Sequence, residues 1–486
     1  MTAVQKPPSR SLLAPCLAVG LLLGGCATFS PDGGLSPARE AAASALQGEV
    51  TKITDDTQEE GARARVAALL RAPLTPRAAV EIALLRNKGL QAAFNDLGVS
   101  EAQFVQESLP PPPQFSISRL AGEGDVEVIR QLAVSLFALA TLPSRTAIAR
   151  ENFTVAQWRA AEQVLALAAS VRRQYYTAVA ANAQVAFLQR SVASAEVAAD
   201  LARKLGEAGN LNTLEQARAG AFFAEMGAQL ADARIQAQAE RERLTRLMGL
   251  WGRDIAFKLP ETLPALPKGI ASAKDIEAKA LSERVDLKAG RHELAGLAAQ
   301  YGLTNATRYV SDITLAYQND SEWAGNVGGS VLGTEFNNKL IRNGFDVSFT
   351  IPIYDFGETN VRGARETYMA SANRLAQRAI DVRSQAREAY LRYRGKYDLA
   401  RYYAKNVLPL RKIIVDETAL QLNGMIADIT QLIVDGQMRI TSNNAAITAQ
   451  RDFFIASVDL AAATYGGGFG GGGPSSVATS STAAAN

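Results

Sequence analysis

The residues best placed to undergo chemistry stand near the start of the chain. Leu23-Gly24-Gly25-Cys26 closes an apolar run from Leu12 to Leu23, after a basic start at Lys6 and Arg10. Small residues ahead of the cysteine let the backbone enter a signal peptidase, and the thiol can then accept a diacylglycerol. The run is shorter than the ~20 residues of a permanent membrane helix, so it reads as a removable lipoprotein signal with Cys26 as the lipid attachment point. An ordinary secretory signal with an incidental cysteine is the alternative. Cys16 is the weaker acceptor, because Pro15 adjoins it and the apolar run continues beyond it. Ala27 follows Cys26 where an aspartate would commonly retain the protein at the inner membrane, so the expected destination is the outer membrane.

Little else in the chain suits bond-making chemistry. His292 is the single histidine, which gives a triad one candidate and a multi-histidine metal site none. It falls in a helical stretch and is most simply a surface or packing residue. After cleavage Cys26 is the lone cysteine, leaving no intrachain disulfide and no thiolate cluster. The glycine run from Gly466 to Gly473 lies in a Ser/Ala-rich tail with no helix after it, so it is no phosphate loop. Loss of Lys6 and Arg10 lowers the formal charge from +3 to +1, which does not suggest a nucleic-acid partner. No enzyme activity, cofactor or metal is expected.

The elements that carry these residues are written twice. Ala83, Leu84, Leu90 and Ala92 recur as Ala280, Leu281, Leu287 and Ala289, an offset of 197. Val134-Ser135 recurs as Val347-Ser348 and Ala149-Arg150-Glu151 as Ala364-Arg365-Glu366, at offsets of 213 and 215. The pattern Gly-x-aliphatic-x-x-aliphatic-x-Gln runs from Gly209 to Gln216 and again from Gly424 to Gln431. Most of the added length between copies falls in the glycine-rich stretch 323–338.

Each copy has the same order. A helix from about Pro76 to Ser108 opens the first, stopped by the prolines 110–113. Short alternating segments follow, with Phe115 and Ile117, then Leu132, Val134 and Leu136, on one side. In the second copy Ile313, Leu315 and Tyr317, then Phe345, Val347, Phe349 and Ile351, alternate with polar residues. Lipid on one face and water on the other produces this pattern, as does a half-buried sheet in a soluble protein. Alanine-rich helices are expected from Arg145 to Leu205, Asn212 to Met248, Asn360 to Leu422 and Asp428 to Tyr465. They far exceed the ~11-residue mean of globular proteins.

Leu74-Thr75-Pro76-Arg77-Ala78-Ala79-Val80-Glu81-Ile82-Ala83-Leu84, the junction Ile351-Pro352-Ile353-Tyr354-Asp355-Phe356-Gly357 and the two Gly-x-aliphatic turns resemble the TolC-type outer-membrane efflux proteins, lipidated branch, over nearly the whole mature chain. The resemblance implies a mainly α fold with membrane β: two repeats of long antiparallel helical hairpins forming a periplasmic α-barrel. Four strands per chain would join a trimeric transmembrane β-barrel of ~12 strands. It also implies partners: two further copies in a homotrimer, a periplasmic adaptor, an inner-membrane transporter and outer-membrane lipid. The turns would be hairpin tips that meet the adaptor, through Gly209, Leu211, Gly424, Ile426 and Ile429, with the aliphatics exposed and each glycine in a positive-φ cap. Packing between adjacent tips is the other use for those aliphatics.

Two departures stand out. The first copy reads Phe137-Ala138-Leu139-Ala140-Thr141-Leu142-Pro143 at its junction, without Asp-x-Gly, so a different local bend is expected. The family's acidic ring at the periplasmic mouth would fall on Thr430 and Ile433, which are not acidic. Asp428 and Asp435 lie close by and could substitute; a helix N-cap for Asp428 and a solvated face for Asp435 are the plainer readings.

The expected organisation is a signal peptide at 1–25, a lipidated segment and linker at 26–73, and a first repeat at 74–250 with strands at about 113–138 and a tip at about 206–212. A linker at 251–271, with the segments around the termini, would form an equatorial belt. The second repeat spans 272–465, with strands at about 309–352 and a tip at about 423–428, and a disordered tail fills 466–486. The expected function is the exit duct of a tripartite efflux pump; a non-porous helical periplasmic lipoprotein and a duct for protein secretion are the alternatives.

Overall fold

The computed structural model describes residues 28–46, 50–122, 125–270, 272, 274–323, 339–424 and 426–468. Cys26, the signal segment, the stretch 324–338 and the tail from 469 lie outside them. Two compact units divide the chain: 1–34, 97–156 and 290–374 make the first, and 35–96, 157–289 and 375–486 the second.

The first unit holds the sheet. Strands β1 (Gln114–Gly122), β2 (Asp125–Ser135), β3 (Asp312–Trp323) and β4 (Lys339–Thr350) pair antiparallel in the order β1-β2-β3-β4. Both repeats therefore contribute a hairpin to one sheet, joined where Leu132 faces Tyr317 and Val134 faces Leu315. Among the described residues, no strand pairs with the outer edge of β1 or of β4. Directly opposed residues share a face, so Phe115, Leu132, Tyr317 and Phe345 form one apolar row and Val134, Leu315 and Val347 the next. Phe115 is 64% exposed, Phe345 78% and Phe349 64%.

The strand-to-helix junctions differ between copies, as expected. In the second, Asp355 accepts from the backbone N–H of Gly357 (2.9 Å) and of Thr359 (3.2 Å). Those bonds hold its carboxyl below the usual range, Gly357 contributing most. Gly357 sits at φ 73°, and a Cβ there would collide with the carbonyl of Arg308, whose own side chain bonds the Phe356 carbonyl at 3.1 Å. In the first copy there is no such turn. Ser135 accepts from Ala138 N (3.1 Å), and the helix begins immediately. That helix runs Leu136–Glu207, starting well before Arg145, with Pro143 inside it. Lying past the first turn, Pro143 cannot donate to the Leu139 carbonyl, so the helix continues through it with that one bond missing.

The second unit is helical: α1 (Ser36–Leu46), α2 (Asp56–Leu69) and α3 (Pro76–Arg86), then part of α4 (Lys88–Glu107) and the larger part of α5 (Leu136–Glu207), then α6 (Thr213–Met248) and α7 (Ile276–Glu283), the start of α8 (Val285–Ala306), most of α9 (Glu358–Tyr402), and α10 (Leu408–Asn423) and α11 (Ile429–Tyr465). The single opening helix expected from Pro76 to Ser108 is two helices, broken at Asn87. Its side chain caps α4 through Leu90 N (3.0 Å) and donates to Leu247 O (2.9 Å), an offer to the backbone that competes with continued helix. The second copy breaks at Arg284, the equivalent position, which pairs with Asp286 at 2.8 Å and bonds Ala463 O at 3.4 Å. Each repeat thus closes by tying the end of its last long helix to the kink of its first. Gly249 (φ 68°) terminates α6 there, with no room for a Cβ against the Arg86 carbonyl.

The helix expected unbroken from Asn360 to Leu422 is interrupted by a π turn at Tyr403–Val407. Pro409 cannot donate to the carbonyl four residues back, and the chain inserts an extra residue, with Leu408 N reaching Tyr403 O. The linker after α6 lies extended across this unit. Tyr397 OH donates to Pro267 O (3.0 Å), Asn182 to Pro260 O (2.9 Å) and Gln450 to Pro264 O (2.7 Å). Gly466–Gly468, expected in a disordered tail, are folded: Gly466 packs against Val285, Gly467 against Leu165, and Gly468 O accepts from Arg173 at 2.6 Å.

Candidate functional site

The two Gly-x-aliphatic turns come together in the second unit. In the first, α5 ends with Gly209 N on Gly206 O (2.9 Å) and Asn210 N on Leu205 O (2.8 Å). Gly209 takes φ 77°, the expected left-handed cap. Asn212 then caps α6 by accepting from Glu215 N at 2.9 Å. The repeated glutamine has a purpose here: Gln216 donates to Leu211 O at 3.1 Å, and its amide fills the space that a Cβ on Gly206 would need.

The second turn differs. Gly424 has φ −82°, so it is not the positive-φ cap expected. Ile426 N and Ala427 N both bond Gln421 O, at 2.9 and 3.3 Å, and reverse the chain without a left-handed residue at 424. Asp428 is the N-cap of α11, accepting from Gln431 N at 2.7 Å. Asp435 faces its own hairpin, accepting from Thr418 Oγ1 at 2.9 Å and Gln431 Nε2 at 3.1 Å. Thr430 is 3.4 Å from Arg218 Nη1, a contact between the two hairpins.

One apolar seam holds the hairpins. Leu188, Ala195 and Ala202 on α5 recur every seven residues, and they pack with Ala219, Phe222 and Met226 on α6 and Ile429, Ile433 and Ile440 on α11. Small residues on one helix against large ones on the next give a close, coiled-coil-like approach. Ile429 is 2% exposed, so it belongs to this seam and is not the exposed aliphatic expected. Leu211 is half-buried against the same seam. Ile426 remains at 80% exposure. Leu214 and Leu420 also stand out, at 60% and 65% beside the turns; Leu214 is the second aliphatic of the repeated pattern, the counterpart of the buried Ile429, and sequence reasoning did not name it as a contact. The only signal for Leu420 was an aliphatic side chain within a few residues of a helix end.

Elsewhere, His292 Nδ1 lies 2.7 Å from Glu151 in the first unit, which accounts for the single histidine. A cavity of about 1080 Å³ in that unit is lined by Glu107, Arg145 and several Thr, Asn and Gln side chains, and Glu107 and Arg145 pair at 2.6 Å. No helix among the described residues is long and apolar enough to cross a membrane, and no His/Cys/Asp/Glu cluster among them could hold a metal. The N-terminal arm is tied down at Ser30, whose N–H donates to the buried Glu101 at 2.6 Å.

Comparison with known proteins agrees with this arrangement. The chain is 25% identical over 315 residues, 63% of its length and 70% of the relative's, to the cobalt-zinc-cadmium resistance protein CzcC of Cupriavidus metallidurans. Its fold matches the outer membrane protein VceC of Vibrio cholerae with a TM-score of 0.65 at 15% identity, covering 81% of this chain and 96% of that one. The open-state MtrE outer membrane channel of Neisseria gonorrhoeae gives 0.62 at 18% identity, covering 80% and 88%. The sequence model for outer membrane efflux proteins matches residues 79–250 and 278–464, the two repeats in turn. Repeat, sheet and hairpins together make this chain a member of the outer membrane efflux protein family.

Proposed function

We propose that three copies of this chain form the passive exit duct of a tripartite efflux pump, anchored in the outer membrane by a lipid on Cys26. The observation that carries the reading is the sheet. Four strands with two open edges and a face of exposed Phe, Val and Ile suit neither water nor lipid alone. Because the strand number is even, β4 of one copy would run antiparallel to β1 of the next, and three copies would close ~12 strands. The apolar row through Phe115 and Phe345 then meets lipid, and the carboxylates of the other face line the water path.

The hairpin turns would meet a periplasmic adaptor, which receives cargo from an inner-membrane transporter. Ile426, Leu214 and Leu420 offer the exposed apolar contacts. Opening would separate the α10–α11 hairpin from α5 and α6, so the Ile429–Ile433 seam and the Arg218–Thr430 contact are the closed-state bonds. Asp428 and Asp435 remain the acidic candidates at that mouth, with their carboxylates held by Gln431 and Thr418. CzcC is by name a cobalt, zinc and cadmium resistance protein, yet a wide duct has no need to ligate its cargo, so the selecting site would lie upstream.

The test is native mass combined with heat-modifiable mobility of the detergent-extracted protein. A trimer whose mobility shifts on boiling supports the duct. A monomer lacking heat-resistant β-structure would favour the helical, non-porous lipoprotein.

A further inference from the structure

The carboxylates of the sheet are sorted to one of its faces, where Arg342 joins them and pairs with Glu322 at 3.0 Å. Glu127, Asp312, Asp320, Glu322 and Asp346 all stand on the face opposite the Phe115–Phe345 row, as the strand register dictates. Arg119 and Arg130 stand on the apolar face itself, where no carboxylate of a described strand side chain joins them.

Their height on that face is informative. The row of Phe115, Leu132, Tyr317 and Phe345 is followed, toward the β1–β2 turn, by Ile117, Arg130, Asn319 and Asn343. Arg119 comes one row further on the neighbouring strand, opposite Val128, and Trp323 one row beyond that. Arginine and tryptophan at the edge of an apolar belt are interfacial anchors, placed where acyl chains give way to headgroups.

Arg130 is also held in place. Its Nη1 donates to Asn319 Oδ1 (3.1 Å) and Ser321 Oγ (3.3 Å). Asn319 donates onward to Asn343 Oδ1 (2.7 Å), which also accepts from Tyr317 OH (2.9 Å). Five polar side chains in one network on a lipid-facing surface would be costly unless the occupant brought compensating polar groups. A guanidinium has five donors, and these bonds use one nitrogen. A neighbouring copy is not that occupant: Arg130 lies on β2 between β1 and β3, and although Arg119 is on the edge strand β1, a neighbour's β4 would bring Ile341, Asn343, Phe345 and Val347 to this face and no carboxylate.

We propose that Arg119 and Arg130, braced by Asn319 and Asn343, bind the phosphate of a phosphorylated lipid in the outer leaflet. The proposal rests on the membrane-barrel reading above. Its logic is complementarity: paired guanidinium forks suit a phosphate, and the apolar row below suits the acyl chains of the same molecule.

The experiment titrates the full-length detergent-extracted protein with diphosphoryl lipid A and with its dephosphorylated form, reading bound lipid by native mass. Single-channel conductance is recorded on the same preparations. Wild-type protein is expected to retain the phosphorylated lipid about tenfold more tightly, a factor expected of charge-assisted contacts at one site. The Arg119→Gln/Arg130→Gln variant should lose that preference and keep its conductance, and Arg130→Lys should keep part of it. Equal affinity for the two lipids in a conducting wild-type protein, or an undiminished preference in a conducting double variant, would overturn the site. A wild-type preparation that never conducts would overturn the barrel reading and the site with it.

Discussion

Gly209 and Gly249 both take positive φ, yet substitution should treat them differently. A Cβ at Gly209 meets open space, so Gly209→Ala bears only the left-handed strain of about 1 kcal/mol. At Gly249 the same Cβ falls 2.7 Å from the Arg86 carbonyl, and Gly249→Ala should cost about 3 kcal/mol once backbone displacement is added. Thermal unfolding of the two variants checks the ordering; equal losses would mean that the repeat closure at Asn87 is slack. Glu162 supplies a pH test. Burial first, and then Asp286, raise its carboxyl above the ordinary 4.5. The folded chain therefore binds the proton more tightly than the unfolded one, and the site's stability contribution falls as pH rises from about 4.5 through the folded value. Glu162→Gln should flatten that decline, read from melting temperatures across the acid range. Neither residue was legible as special in the sequence: Gly249 resembles any helix-ending glycine, and Glu162 any charge on an alanine-rich helix. Both are defined by what packs against them from distant segments.

At the scale of elements, the duplication made most of the fold readable. Repeat order, all four strands and both hairpin turns follow from alternation and offset alone. The breaks were not readable, because they depend on partners. Asn87 interrupts a good helix since its side chain has Leu247 to bond, and Pro409 is accommodated through a π turn that no spacing rule announces. Gly424 matched Gly209 by pattern but not by conformation, because the Gln421 carbonyl takes both following N–H groups. Asp428 and Asn212, by contrast, are equivalent caps at the two turns. Asp428→Ala and Asn212→Ala should each cost about 1 kcal/mol, visible as faster amide exchange over the first turn of α11 or α6 with the rest of the helix unchanged. Protection spreading unchanged through the capped turn would show that tip packing, not capping, sets the end.

For the whole molecule, the seam between hairpins and the open sheet edges matter most. Ile433 belongs to the seam and is 7% exposed, so Ile433→Ala should weaken the packing between the hairpins by about 2–4 kcal/mol. In a duct that opens by parting those hairpins the loss appears as longer or more frequent open states. In a non-porous protein it lowers only the melting temperature. The sheet makes the broader demand: its exposed Phe and Val face and the open edges of β1 and β4 among the described strands are what the exit-duct proposal assigns to lipid and to further copies of the chain. The measurement that bears most directly on the exit-duct reading is single-channel conductance of the purified protein in a planar bilayer, with its native mass taken alongside and Ile433→Ala recorded beside wild type. Small discrete steps from wild type, with more time open in the variant, are the expected result. A protein of trimeric mass that inserts into the bilayer and passes no current, with wild type and variant alike, would contradict it.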